Sequence, residues 1–288
     1  MPKSAVSCII ASDMFPEICQ IGPFTLKSFG LMAALGFLLG YAVMRRRGEI
    51  VAGLNADAVS RLLVAAMAGG ALGARLAYVA EHWSSEFADC PVWEVLRFDR
   101  GGLMFYGGLG GAIIAIAICS IVWRRPLAAL LDLTAIALPL GHALGRVGCF
   151  LNGCCYGRVS ECAISVRYPA GSAPWLAQVH DGLIRRSAAQ SLPVIPSQLI
   201  EAALNVVLFA ALWRLSSRKP RRWTLAGCYL VGYGVIRFFT ETLRSDPRMA
   251  VGPFSISQFI CLFVFAAGCA ALAVARLGGK GEKSREGE

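Results

Sequence analysis

The sequence predicts an all-α integral membrane protein of about seven transmembrane helices, forming one polytopic domain over residues 1–277. Three observations carry this. Apolar residues make up 56% of the chain and charged residues only 16%, whereas soluble domains carry about 25% charged residues. The mean hydropathy is +0.59. The apolar residues fall into long runs bounded by basic or polar residues, so the shortage of charge belongs to the whole chain and not to one anchor.

Each run is read as a helix, because backbone groups in hydrocarbon must be paired within their own segment. Met1 to Gln20 do not read as a secretory signal: Lys3 is a weak basic start and no long apolar core follows before Asp13 and Pro16. The first apolar run is therefore expected to be retained. It covers about Phe24 to Met44 and stops at Arg45, Arg46 and Arg47. The second covers about Ser60 to Ala80, and a polar segment over 81–101 follows. The third, about Leu103 to Trp123, ends at Arg124, Arg125 and Pro126. The fourth, about Leu127 to Leu151, contains Pro139 and several glycines, so a kink or break is expected there. A long polar segment spans 152–196. The fifth and sixth runs are about Ser197 to Leu215 and Leu225 to Leu243. The seventh is about Phe254 to Leu277, and the charged tail 278–288 is expected to be disordered.

Basic residues orient the bundle. Leaving aside the intramembrane Arg75, Arg146 and Arg237, fifteen Lys and Arg fall on one side and ten on the other. The short loops agree: the Arg45–Arg47 triplet, the Arg124–Arg125 pair and the Arg218–Arg222 group lie on the richer side. The positive-inside rule then puts the N-terminus outside, the C-terminus in the cytoplasm and both polar segments on the outer face. The net charge of +10 is thus placed for anionic headgroups at helix ends, and a nucleic-acid partner is not expected.

An arginine near the bilayer centre costs roughly 2.5–3.5 kcal/mol, so each needs a partner, a wet cavity or an interface. Arg75, Arg146 and Arg237 are read either as structural ion pairs or as the lining of one polar cavity. In the sixth run Tyr229, Tyr233, Arg237 and Glu241 recur every four residues, with Arg244 three further on, which forms one polar stripe on an otherwise apolar helix. Such a stripe can neutralise itself or line a site for an anion, and the planar guanidinium fork suits phosphate oxygens. His142 is read as a hydrogen-bonded core residue. Gly101-Gly102 and Gly107-Gly108 flank Tyr106 and are read as a ligand-facing turn or as helix packing with interfacial anchoring.

Eleven cysteines do not form one framework. Cys119, Cys228, Cys261 and Cys269 sit in apolar runs as small hydrophobes. Cys149, Cys154 and Cys155 have no standard zinc spacing and no nearby histidine completes a set, so no metal or other cofactor is expected. They are read as free thiols, or as one half of an outer-face disulfide joining Cys154 or Cys155 to Cys162 or Cys90.

Six motifs in order resemble the bacterial prolipoprotein diacylglyceryl transferase family. They are Phe29-Gly30-Leu31-Met32, Gly73-Ala74-Arg75, Gly101-Gly102 with Gly107-Gly108, and Gly145-Arg146-Val147-Gly148 with Phe150, Asn152 and Gly153. Pro196-Ser197-Gln198-Leu199 with Glu201, and Gly232-Tyr233-Gly234 with Arg237, Glu241 and Arg244, complete the set. The resemblance implies a multi-pass enzyme of the bacterial inner membrane. It would move the diacylglyceryl group of phosphatidylglycerol to the lipobox cysteine thiol of a preprolipoprotein, forming a thioether and releasing glycerol phosphate. Its partners would be that lipid, signal peptides with a lipobox cysteine, and the surrounding membrane lipids. Arg146 would bind the headgroup, and Arg237 would stabilise charge building on the leaving phosphate. Glu241 and Arg244 would orient the site, and Asn152 with the glycines, including Gly107 and Gly108, would shape it. Arg75, Glu201 and Tyr233 join them as substrate-binding candidates, and Tyr106 joins Arg146 and Arg237 as a catalytic one.

The sequence departs from the family where Tyr106 stands for a histidine, Cys149 for an asparagine, Phe29 for a tyrosine and Cys154 for a glutamate. A neutral phenol is a poor base at neutral pH. Two alternatives follow: a related membrane lipid-phosphate enzyme with another acceptor, and a non-enzymatic transporter or assembly protein.

Overall fold

The apolar runs become helices, and the polar segments between them carry the few irregular elements. The structure is a computed structural model that describes residues 17–21, 24–88, 90–97, 101–245, 250–251 and 254–285. Its helices are α1 (Ser28–Ala52), α2 (Ala56–Glu81), α3 (Phe105–Val122), α4 (Leu127–Leu151), α5 (Ala173–His180), α6 (Ser197–Ser216), α7 (Thr224–Glu241) and α8 (Ile256–Arg285). Two small antiparallel hairpins accompany them, β1 (Glu17–Ile21) with β2 (Phe24–Lys27) and β3 (Ala250–Val251) with β4 (Phe254–Ser255).

Six of these helices are long and apolar enough to cross a membrane: α1, α2, α3, α4, α6 and α8 over Ile256–Leu277. The seventh expected span corresponds to α7, which has 18 residues but falls outside the group because its polar stripe lowers its hydropathy. Large apolar side chains on the other helices face outward. Ile114, Ile121, Val207 and Phe263 are 62%, 76%, 66% and 64% exposed, which is the surface that lipid tails would cover.

The boundaries show what starts and stops each helix. Helix α1 runs through Arg45–Arg47 to Ala52, where Gly53, at φ 63°, returns its N–H to the Glu49 and Gly48 carbonyls. Arginines favour helix and mark the edge of hydrocarbon, not the end of the helix. Helix α2 starts at Ala56, before the expected Ser60, because the Asn55 side chain accepts the Ala58 N–H at 2.9 Å. Helix α4 matches its expected bounds and passes through Pro139 without a break. Helix α8 is continuous from Ile256 to Arg285. A helix already formed in an apolar run can propagate past its end without a new nucleus.

Helix α4 is the centre of the bundle and packs against α1, α6 and α7. Leu130, Leu133 and Ile136 on it are fully buried. Asp132 is buried too, and its carboxylate accepts the Trp223 N–H at 2.8 Å and the Ala226 N–H at 2.7 Å. These are donors at the start of α7 that lack an intrahelical partner, so a side chain of α4 caps α7. Helices α2 and α3 meet through glycines. A Cβ on Gly111 would lie 2.1 Å from the Gly69 carbonyl oxygen, and one on Gly73 would lie 2.4 Å from that of Gly107. Close backbone approach of this kind needs small residues at the contact.

Contacts sort the helix ends into two groups. Arg125 lies over Gly53, Arg47 stacks on Trp213 at 3.9 Å, and Asp132 holds Trp223, so the basic loops share one end. At the other end the segment 152–196 folds against α4, α6 and α7. Val194 pairs with Val159 and Val166, and Gly157 pairs with Arg244. Tyr168 is fully buried there beside Phe150.

Candidate active site

Glu201 lies one turn into α6 and is 2% exposed. A lone buried carboxylate is costly, so it must be paired. Its Oε1 meets Arg146 Nε at 3.0 Å, and its Oε2 meets Arg237 Nη1 at 3.6 Å. Arg237 Nη2 in turn pairs with Glu241 Oε2 at 2.9 Å, and Glu241 Oε1 accepts the Ser255 hydroxyl at 2.9 Å. Three helices thus deliver alternating charges to one place: Arg146 from α4, Glu201 from α6, and Arg237 with Glu241 from α7. Two guanidiniums thus meet two carboxylates, and Arg244, just beyond α7, is near enough for its charge to act on Cys155.

The pairing leaves donors over. Arg146 makes its ion pair through Nε, and among the described residues its two Nη groups have no acceptor. Arg237 Nη1 is buried without a hydrogen bond, its contact to Glu201 being the longer one. A buried donor such as Arg237 Nη1 is rare without a partner and is met by an ordered water, an ion or a ligand.

Tyr233 stands beside the arginines and stacks on His142 with ring centroids 4.8 Å apart. His142 Nδ1 and the Tyr229 hydroxyl lie within 3.2 Å, in keeping with a hydrogen-bonded core histidine. The outer wall is the loop after α4. Gln198 Nε2 donates to the Cys154 carbonyl at 2.7 Å and to the Tyr168 hydroxyl at 3.2 Å, and the Ser197 hydroxyl donates to the Cys155 carbonyl at 2.9 Å. Burial pushes the Tyr168 phenol up to about 12. Asn152 caps the end of α4, and the Cys154 thiol donates to the Cys149 carbonyl at 3.7 Å.

Cys149, Cys154 and Cys155 converge, with their sulfurs all within 4.8 Å of one another. Cys155 sits in the left-handed region at φ 61°. Hydrogen bonds from Cys149 and Cys154 pull its thiol down, helped by the charges of Arg244 and Arg146. Cys90, Cys149, Cys154, Cys155 and Cys162 are all free, which fits the free-thiol reading of the two offered by the sequence, and Cys154 and Cys155 meet Cys149. Cys162 is exposed, and a 3.1 Å contact with the Ser165 hydroxyl lowers its thiol.

Other predicted residues stand elsewhere. Arg75 is 4% exposed and gives its guanidinium to backbone carbonyls: Val95 and Glu94 at 2.8 Å, Gly101 at 2.9 Å and Gly102 at 3.3 Å. It is a clamp on the segment before α3. Gly107 and Gly108 face Gly73 and Gly70 of α2, so they pack helices. Tyr106 opens α3 at 57% exposure with its ring edge-on to Phe105, and its hydroxyl has no hydrogen-bond partner among the described residues.

The polar face of α6 is the part the sequence reading left unread as a face. Gln198, Glu201 and Asn205 are 1%, 2% and 0% exposed, and their spacing of three and four puts them on one side of the helix. That spacing was the signal available, beside the more conspicuous stripe on α7.

A model of the prolipoprotein diacylglyceryl transferase family matches residues 16–274. Similar proteins include phosphatidylglycerol–prolipoprotein diacylglyceryl transferase 2 of Clostridium perfringens, 30% identical over 264 residues, covering 91% of this chain and 96% of that protein. The phosphatidylglycerol–prolipoprotein diacylglyceryl transferase of Pasteurella multocida is 34% identical over 240 residues, covering 82% and 81%. That of Chlorobaculum tepidum is 32% identical over 275 residues, covering 90% and 89%.

Proposed function

The chain belongs to the prolipoprotein diacylglyceryl transferase family, and we propose that it transfers the diacylglyceryl group of phosphatidylglycerol to the lipobox cysteine thiol of a preprolipoprotein. The observation that carries this at the level of residues is the set of unused donors on Arg146 and Arg237, both held by Glu201. In the reaction the thiol sulfur attacks the glyceride carbon that bears the phosphate ester. A C–S bond forms, the C–O bond to phosphate breaks, glycerol phosphate leaves with the electron pair, and the thiol proton passes to solvent or a base. Charge builds on the leaving phosphate oxygens, so donors fixed before the reaction are worth most there. Glu201 fixes both arginines, Glu241, itself held by the Ser255 hydroxyl, holds Arg237, and Tyr233, Arg244 and Asn152 would border the phosphate. Arg75 keeps the segment before α3 in place, and Gly107 and Gly108 set the α2–α3 spacing.

The basic end of the bundle is the cytoplasmic end by the positive-inside rule. With α7 as a seventh span, the N-terminus lies outside, the C-terminal tail 278–288 lies inside, and the site opens to the outer face of a bacterial inner membrane. That is the side on which exported lipobox peptides arrive.

The test is transfer of labelled glyceride from phosphatidylglycerol to a lipobox peptide by the purified protein, beside Arg146→Ala. Thioether formation that disappears in the variant is expected. Absence of transfer by a folded protein that still binds the lipid would overturn the reading. It would favour a different acceptor, a second reading supported by the exposed Tyr106, whose hydroxyl has no hydrogen-bond partner among the described residues. Tyr106→Phe decides that residue: a slower rate gives its hydroxyl a role, and an unchanged rate leaves it as an anchor.

A further inference from the structure

The three sulfurs of Cys149, Cys154 and Cys155 play no part in the chemistry above, yet they are built into one place. One comes from the last turn of α4 and two from the loop that follows. All three lie within 4.8 Å of one another. Metal–thiolate bonds are about 2.3 Å long, so three sulfurs around one ion stand roughly 4 Å apart. Only small adjustments separate the observed triad from that arrangement. Neither a lone thiol nor a simple disulfide needs a third sulfur at this distance.

The scaffold holds the triad in advance. The Cys154 N–H donates to the Cys149 carbonyl at 3.1 Å, which closes the loop on the helix end. Gln198 and Ser197 bind the carbonyls of Cys154 and Cys155, so both residues are tied to α6 through the backbone while their side chains turn inward. Cys155 adopts φ 61°, a conformation disfavoured for a side chain with a Cβ. Such strain is tolerated where surrounding bonds hold it, often at ligand clamps. Arg146 and Arg244 are near enough for their charge to act on Cys155. Three thiolates around a monovalent or divalent ion carry net negative charge, which these guanidiniums would balance.

We propose that Cys149, Cys154 and Cys155 form a binding site for a thiophilic closed-shell metal ion, Cu⁺ or Zn²⁺. Soft thiolates select these ions. An all-sulfur three-coordinate set suits Cu⁺ directly, whereas Zn²⁺ would add a water as fourth ligand. Three S–H groups become three S–metal bonds on binding, and up to three protons go to solvent.

The experiment uses the full-length reduced protein in detergent micelles. Zn²⁺ is offered in competition with a chromophoric chelator, and Cu⁺ is offered without oxygen in competition with bathocuproine. One equivalent of one of the two ions is expected, with X-ray absorption showing three sulfurs at about 2.3 Å. Tight Cu⁺ identifies the trigonal form, and tight Zn²⁺ with one added light ligand identifies the water-completed form. Cys149→Ser, Cys154→Ser and Cys155→Ser should each weaken binding by about 100-fold or more, and Cys162→Ser and Cys90→Ser should leave it unchanged. Circular dichroism of each variant separates lost binding from lost fold. No stoichiometric binding of either ion by folded protein, or binding indifferent to all three substitutions, overturns the proposal. Metal stoichiometry does not depend on glyceride transfer, so this result stands apart from the outcome for the proposed reaction.

Discussion

Arg146→Lys isolates the role of the guanidinium fork. Arg146 uses Nε for Glu201 at 3.0 Å and leaves both Nη groups for a substrate. Lysine keeps the positive charge and can keep the pair with Glu201, so the buried carboxylate is not orphaned. What it loses is a second and third donor in a fixed plane. A hydrogen bond to a charged group contributes about 1.5–3 kcal/mol, so loss of two such bonds to the phosphate costs about 3–6 kcal/mol, or roughly 10²–10⁴-fold in kcat/KM. The assay is glyceride transfer to a lipobox peptide at varied phosphatidylglycerol, with thermal unfolding in the same detergent. The expected result is that large loss of rate with little change in unfolding temperature. A variant within threefold of the parent rate would refute the argument, since a point charge would then suffice where two directed bonds were invoked.

Three further outcomes follow from the same contacts. Glu201→Gln should abolish transfer and destabilise the fold by about 3–5 kcal/mol, because Arg146 and Arg237 would lose their shared counter-charge in a buried place; an unchanged unfolding temperature would show that the bridge is not structural. Gly111→Ala should cost about 1–3 kcal/mol or block assembly, since its Cβ would lie 2.1 Å from the Gly69 carbonyl. Gly110→Ala, with nothing within 4 Å of its Cβ, should be tolerated, and equal expression of the two variants would contradict the packing argument. Cys162 should label with iodoacetamide at a lower pH than an ordinary thiol, because the Ser165 hydroxyl stabilises its thiolate. Removing that bond raises the thiol toward its usual range, so Ser165→Ala should move the labelling midpoint up in pH; a midpoint that stays put would rule out the hydroxyl as the cause.

Much of this protein is legible before folding is considered. The apolar runs mark the helices because bilayer thickness and backbone pairing leave no other solution, and α4 and α6 begin where they were expected. The stripe of Tyr229, Tyr233, Arg237 and Glu241 on α7 was visible as a spacing of four, and it also explains why α7 falls outside the helices apolar enough to cross a membrane. Arg146 and Arg237 stood out because charge in hydrocarbon needs a reason.

The partners of those charges were not legible. Arg75 looked like Arg146 in sequence, an arginine after small residues in an apolar run. Packing turned one into a clamp on carbonyls and the other into half of an open ion pair. Gly107 and Gly108 read as a ligand-facing turn or as helix packing, and only the approach of Gly73 and Gly70 shows that they pack against α2. Asp132 drew no notice, although it caps a helix far along the chain. The three cysteines had no recognisable spacing, and only the return of the loop against α6 brings their sulfurs together. In each case periodicity specified which face of a helix a residue occupies, because that is a local property of the backbone. Which other face it meets depends on how whole helices pack, and that is decided by contacts between residues distant in sequence.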